Sequence, residues 1–142
     1  MCKIGDIIAV PHFIGDGNNF VGTHYFIVVN DNDGNIEGLD FNIVGSVMST
    51  FKSEEHKKKK LKYKENMEIV EKDGTINDRN LKSGYVKADQ LHYFKKEKTN
   101  YFVVGQVDGD VLIKLLELIE YLDTKGNLKQ NLENLKEPVV AA

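Results

Sequence analysis

His24 stands where polar groups meet an apolar run, in Gly22-Thr23-His24-Tyr25-Phe26-Ile27-Val28-Val29-Asn30. Imidazole suits either direction of proton transfer, because its ordinary pKa of about 6.5 lies near working pH. Residues 26–29 read as a strand buried on both faces, ended by the turn-rich Asn30-Asp31-Asn32-Asp33-Gly34. Such a strand is a rigid post, and Thr23 and His24 are held at its start beside the glycine-rich loop Gly15-Asp16-Gly17-Asn18-Asn19. His12 flanks the same loop from the other side, so a two-histidine arrangement is one expectation. The plainer alternatives are a structural His24 bonded to a backbone carbonyl and a surface His12.

Ser49 and Thr50 close the segment Val47-Met48-Ser49-Thr50 with two hydroxyls. Hydroxyls can stabilise developing negative charge, or cap a turn or helix begun at Phe51-Lys52-Ser53. Lys57, Lys58, Lys59 and Lys60, with Lys62 and Lys64, form the densest positive charge in the chain. Tyr63 adds a ring able to stack on an unpaired base, although most charge runs are solvated faces. Lys82 with Lys87 offers a second, weaker basic site. Asp31-Asn32-Asp33-Gly34-Asn35 has a calcium-like composition without the EF-hand register, and reads as a hairpin turn. No Cys/His spacing suits zinc and no phosphate-binding GxxxxGK[ST] occurs, so neither a metal nor a cofactor is expected.

The elements that would position these groups are mainly strands. Asp6-Ile7-Ile8-Ala9-Val10 is a β-branched run closed by Pro11. Residues 36–44 alternate and read as a third strand, while residues 45–50 read as a small polar segment. Met67-Glu68-Ile69-Val70 reads as a short strand, and residues 77–84 as turn or loop. Residues 85–94 form another alternating strand with a bulge at Ala88-Asp89, and residues 101–106 form the last. From Asp110 the period changes, with Val111, Leu112, Leu115, Leu116, Leu118, Ile119 and Leu122 at helical spacing before Gly126. A weaker amphipathic segment follows over residues 128–135, before Pro138, which puts a C-terminal helical segment at about residues 110–136. About six short strands and a terminal helix predict a mostly β domain, a small barrel with a helix across it.

The length of 142 residues fits one domain with a substantial core. A net charge of −3 draws the chain to no polyanion globally, so such a partner needs a local patch. The single Cys2 excludes an internal disulfide framework, and no stretch approaches the roughly 20 apolar residues of a membrane span. Residues 1–6 lack the apolar segment of a signal peptide, so a cytoplasmic protein without membrane attachment is expected.

The order of these signals resembles the MazF/PemK-like toxin family over most of residues 5–122. Gly5-Asp6-Ile7-Ile8-Ala9-Val10 is similar to the family's opening strand, and Gly22-Thr23-His24-Tyr25 stands where the family has Gly-x-Arg-Pro. Val47-Met48-Ser49-Thr50 is similar to a strand end that carries Thr or Ser. Tyr85-Val86-Lys87-Ala88-Asp89-Gln90-Leu91 is similar to the late strand before the terminal helix. The resemblance implies an SH3-like barrel over residues 1–142 and a metal-independent endoribonuclease acting on single-stranded RNA. It also implies a toxin, with an antitoxin protein and a second copy of the chain as partners. His24 replaces the family's catalytic Arg, and an imidazole is cationic only in part where a guanidinium is permanently so. In this reading His24, His12, Ser49 and Thr50 carry catalysis, and Thr23, Lys57, Lys58, Lys59, Lys60 and Tyr63 bind RNA. The alternative is a non-catalytic module on the same barrel that binds RNA or protein.

Overall fold

A computed structural model describes residues 2–11, 13 and 22–135. His12 and the glycine-rich loop of residues 15–19 lie outside these residues, as does Pro138. The β-branched run at Asp6–Val10 forms β1, buried along its whole length. Its side chains alternate between two cores, with Ile7 in one and Ile8 and Val10 in the other. β2 (His24–Asn30) pairs antiparallel with β1 and repeats the pattern, sending Phe26 and Val28 to one face and Ile27 to the other. Both strands are therefore apolar without a break over residues 7–10 and 26–28.

β3 (Gly34–Ile36) and β4 (Leu39–Phe41) make a separate small hairpin that turns at Gly38, where φ is 80°. The single strand expected over residues 36–44 is thus broken there and restarts as β5 (Ile43–Thr50). β5 includes the segment read as small and polar. Gly45 and Ser46 are small because the strand is buried at that point, and a β-carbon on Gly45 would press on Phe26. After β5 come α1 (Glu54–Leu61), β6 (Asn66–Ile69), a 3-10 turn (Glu71–Asp73), β7 (Gly74–Ile76) and β8 (Arg79–Asn80). β9 (Gly84–Phe94), β10 (Phe102–Val107), α2 (Gly109–Thr124) and β11 (Lys129–Asn131) complete the order.

The strands form one curled sheet in the order β11-β9-β5-β2-β1-β10-β7-β8, with β6 also paired to β9. Every pairing in it is antiparallel except β9 with β11. β9 is the longest strand and carries the expected bulge. Ser46 pairs with Leu91 and Met48 with Val86, so residues 87–90 together face Val47. The bend divides the far edge of β9 between β6, which takes residues 84–87, and β11, which takes residues 90–92.

α2 lays Val111, Leu115 and Leu122 on the face that holds Ile7, Ile27 and Val86. It ends in a Schellman arrangement at Gly126, where φ is 70°. Asn127 N–H donates to the Leu122 carbonyl at 2.9 Å and Gly126 N–H to that of Asp123 at 3.0 Å. The helical segment expected to about residue 136 therefore stops at Thr124. Residues 128–135 supply β11 and a 3-10 turn instead, and Leu135 seals a third cluster with Val44, Leu91 and Tyr93. The architecture is mostly β with two helices, one of them towards the C-terminus. Among the described residues no helix is long and apolar enough to cross a membrane.

Two substitutions on α2 test which face is buried. Leu115 is fully buried and Ile113 is 55% exposed. Leu115→Ala is expected to cost about 2–5 kcal/mol in urea unfolding, and Ile113→Ala no more than about 0.5 kcal/mol. Equal costs would mean that α2 packs by another face.

Candidate functional site

Strand alternation decides which polar residues meet. Tyr25 follows His24 in β2 and points to the opposite face, where it stands beside Met48 of β5 and is 39% exposed. Ser49 and Thr50 end β5 and pair with Tyr85 and Gly84 of β9. At Gly84 the strands approach so closely that a β-carbon would collide with the Ser49 carbonyl, so only glycine leaves the ends of β5 and β9 in register. The hydroxyl-bearing Tyr25, Ser49, Thr50 and Tyr85 line one side of a cleft of about 600 Å³, with Thr50 on the face of Tyr25 and Met48, and with Ser49 and Tyr85, one residue out of step, on the other.

The other side is the β7–β8 hairpin. Its two-residue loop is Asn77-Asp78, with φ of 51° and 63°, the left-handed pair that a type I′ turn requires. β7 is paired to β10, and Asn77 N–H donates to the Val104 carbonyl at 2.8 Å. Leu81 anchors the returning chain, buried in the core with its N–H on the Glu71 carbonyl at 3.1 Å. The 3-10 turn before the hairpin is stapled by Asp73, whose carboxylate accepts from Val70 N–H at 2.8 Å. Between these anchors Asn77, Arg79, Asn80 and Lys82 line the cleft. Met48, Ile69, Ile76 and Leu81 form its apolar lining, continuous with the core under α2.

The electrostatics are one-sided. Arg79 is the sole arginine of the chain, and it lines the cleft with Lys82, while among the described residues no Asp or Glu lines it. A guanidinium offers planar, bidentate donors to a phosphate, and the hydroxyls opposite can donate to further oxygens. The site is suited to an anion attached to something flat or apolar.

His24 lies elsewhere. Its ring rests on Phe13, centroids 5.0 Å apart, on the face that carries Phe26 and Phe94. Its Nδ1 is buried with no hydrogen-bond partner among the described residues. Although the β2–β5 register, with Tyr25 opposite Met48, sets His24 across from Ser49, His24 is not among the residues lining the cleft. The cause is the two-residue period of β2, which gives the cleft Tyr25 instead. Thr23 is exposed just before β2 and does not line the cleft.

Lys57, Lys58, Lys59 and Lys60 fall on α1, capped by Ser53, whose Oγ accepts from His56 N–H at 3.1 Å. Ser53 thus takes the capping role considered for Ser49 and Thr50. The four lysines do not line the cleft, and Lys57 forms an ion pair with Glu68 at 3.4 Å. Tyr63 is half exposed beyond the helix. Of the second basic pair, Lys82 reaches the cleft and Lys87 does not. Among the described residues no three His, Cys, Asp or Glu side chains gather as a metal-binding group. The cleft residues passed over in the sequence were Tyr25, Arg79, Asn77 and Asn80. A lone arginine behind an Asn-Asp turn was the available signal.

Comparison with known proteins finds no matching family model and no matching curated relative.

His56 sits next to this region and offers a pH readout. Partial desolvation, then Lys60, Lys52 and Lys59, hold its pKa below the ordinary imidazole value. Its Nδ1 also accepts from Lys52 N–H at 3.1 Å, which requires the neutral ring. The depressed pKa means that its stabilising contribution is present above the ordinary value and lost as pH falls through the folded one. An NMR titration should place the His56 midpoint below about 6.5. A midpoint above that would remove the lysines and the Lys52 contact as its controlling neighbours.

Proposed function

We propose that the cleft holds single-stranded RNA and that the chain cleaves it as a metal-independent endoribonuclease of the MazF/PemK-like kind. The observation that carries this reading is a cleft with no acid among its described lining residues, whose lining Arg79 and Lys82 share with the hydroxyl-bearing Tyr25 and Thr50. The curled sheet with a helix across it supports the SH3-like barrel that the resemblance implies. The cytoplasmic toxin role, the antitoxin partner and the homodimer belong to the same proposal.

The reaction is attack of a 2′-hydroxyl on the adjacent phosphorus. The new P–O bond closes a 2′,3′-cyclic phosphate, and the P–O5′ bond breaks to leave a 5′-hydroxyl. The 2′-hydroxyl proton must be removed and O5′ must gain one. Arg79 would clamp the non-bridging oxygens, where charge builds in the phosphorane, and Thr50, on the face of Tyr25, would donate to the same oxygens. In this reading Arg79 does from the β7–β8 hairpin what the family's Arg does from the start of the second strand. Tyr25 supplies a face for the base.

A second reading, binding without cleavage, is favoured by one feature. Among the described residues, no imidazole and no carboxylate lines the cleft to move those protons.

The test is incubation with a panel of single-stranded RNAs in EDTA, with mass spectrometry of the products. Wild type is expected to give cyclic-phosphate ends, and Arg79→Ala to lower kcat/KM by about 10²-fold or more. Intact RNA with retained, salt-sensitive binding selects the second reading. Activity lost in His24→Ala but kept in Arg79→Ala would move the site to the other face of β2.

A further inference from the structure

We infer that the RNA path continues out of the cleft, over Phe51 and onto α1, giving the nucleotides beside the cleft a stacking and phosphate-binding subsite. This rests on the RNA reading above and adds to it where the strand runs and how long a site it fills.

Continuity is the first support. Thr50 lines the cleft, and the next residue, Phe51, stacks on Tyr85 of the same lining with ring centroids 5.4 Å apart and 26° between planes. His56 stands 6.2 Å from the Tyr85 ring and 6.3 Å from that of Phe51. Lys57 Nζ lies 5.7 Å from the Phe51 ring centroid. Tyr85 is buried, so the ring that adjoins the cleft at the end of β5 and leads to the first cation of the helix is Phe51, which is half-buried. Stacking of this kind accepts any base, at roughly 1–3 kcal/mol per base.

The second support is that α1 contributes nothing to the buried core. None of its residues is buried. A helix this short is marginal in water unless tertiary contacts hold it. Here the contacts are the Ser53 cap, the Lys57–Glu68 ion pair and the Asn66 amide donating to the Lys60 carbonyl at 2.9 Å. These fix the helix beside β6 while Lys58 and Lys59 stay exposed. Neither forms an ion pair among the described residues, so their charge is available to phosphates. The helix is about 12 Å long and extends the cationic surface by that distance beyond the cleft.

The experiment measures anisotropy of a labelled trinucleotide and decanucleotide, both 2′-O-methylated so that they cannot be cleaved, across a range of salt. Wild type is expected to bind the decamer more tightly than the trimer. Lys58→Gln with Lys59→Gln should weaken the decamer roughly tenfold and lower its salt slope by about 1.4, leaving the trimer unchanged. Phe51→Leu should likewise weaken the decamer alone, and Arg79→Ala should weaken both lengths. Retained trimer binding shows that each variant is folded. Decamer binding unaffected by the lysine and Phe51 changes overturns the subsite and leaves the cleft standing. Failure of wild type to bind either length overturns the RNA reading and the subsite with it.

Discussion

Burial of both faces of the central sheet is the constraint from which the rest follows. In β1 and β2 successive side chains enter different cores, so slipping either strand by one residue would exchange the two sets. Ile7 and Ile27 would leave the face under α2, and Ile8 and Phe26 would leave the aromatic face with Phe13 and Phe94. The register is held from both sides. That certainty extends to the strand ends, where the last buried residue determines the direction of the next polar one. Tyr25 reaches the cleft, and His24 does not, because Phe26 and Ile27 are already committed.

The sequence made the strands legible where apolar runs were long and bounded by turn residues. β1, β2, β6, β9 and β10 stand close to their expected positions, and the bulge in β9 lies where Ala88-Asp89 interrupts the alternation. Legibility failed where local pattern and tertiary environment disagree. Gly45 and Ser46 look like loop residues, yet they lie inside β5, where both are buried and Phe26 crowds Gly45. Residues 128–135 have a helix-like pattern but serve as strand and turn, since β9 offers them an open edge. The site was half visible. Ser49 and Thr50 were placed at a strand end, whereas the partner across the cleft comes from a hairpin about thirty residues later. Such a long-range meeting depends on the β10–β7 pairing, which no local signal encodes.

Charge is arranged locally rather than globally. The chain is slightly acidic, at −3, yet no carboxylate of the described residues lines the cleft. Asp6 is used to hold the chain before β1, accepting from Lys3 N–H at 2.9 Å and from the Gln106 amide at 3.3 Å. Asp73 holds the turn before the hairpin. These acids build the frame and leave the cations of the hairpin uncompensated. A weak overall field with a local positive cleft favours short-range recognition over long-range steering.

The hairpin has one more consequence, which concerns the sheet as a polymerising surface. A curled sheet that ends in an open strand offers unpaired backbone groups to any passing chain. Here the terminal strand, β8, is only two residues long, and both Arg79 and Asn80 are exposed and polar. So short and charged an edge is a poor template for strand addition. The guanidinium that makes the cleft cationic thus also works against strand addition at this edge of the sheet.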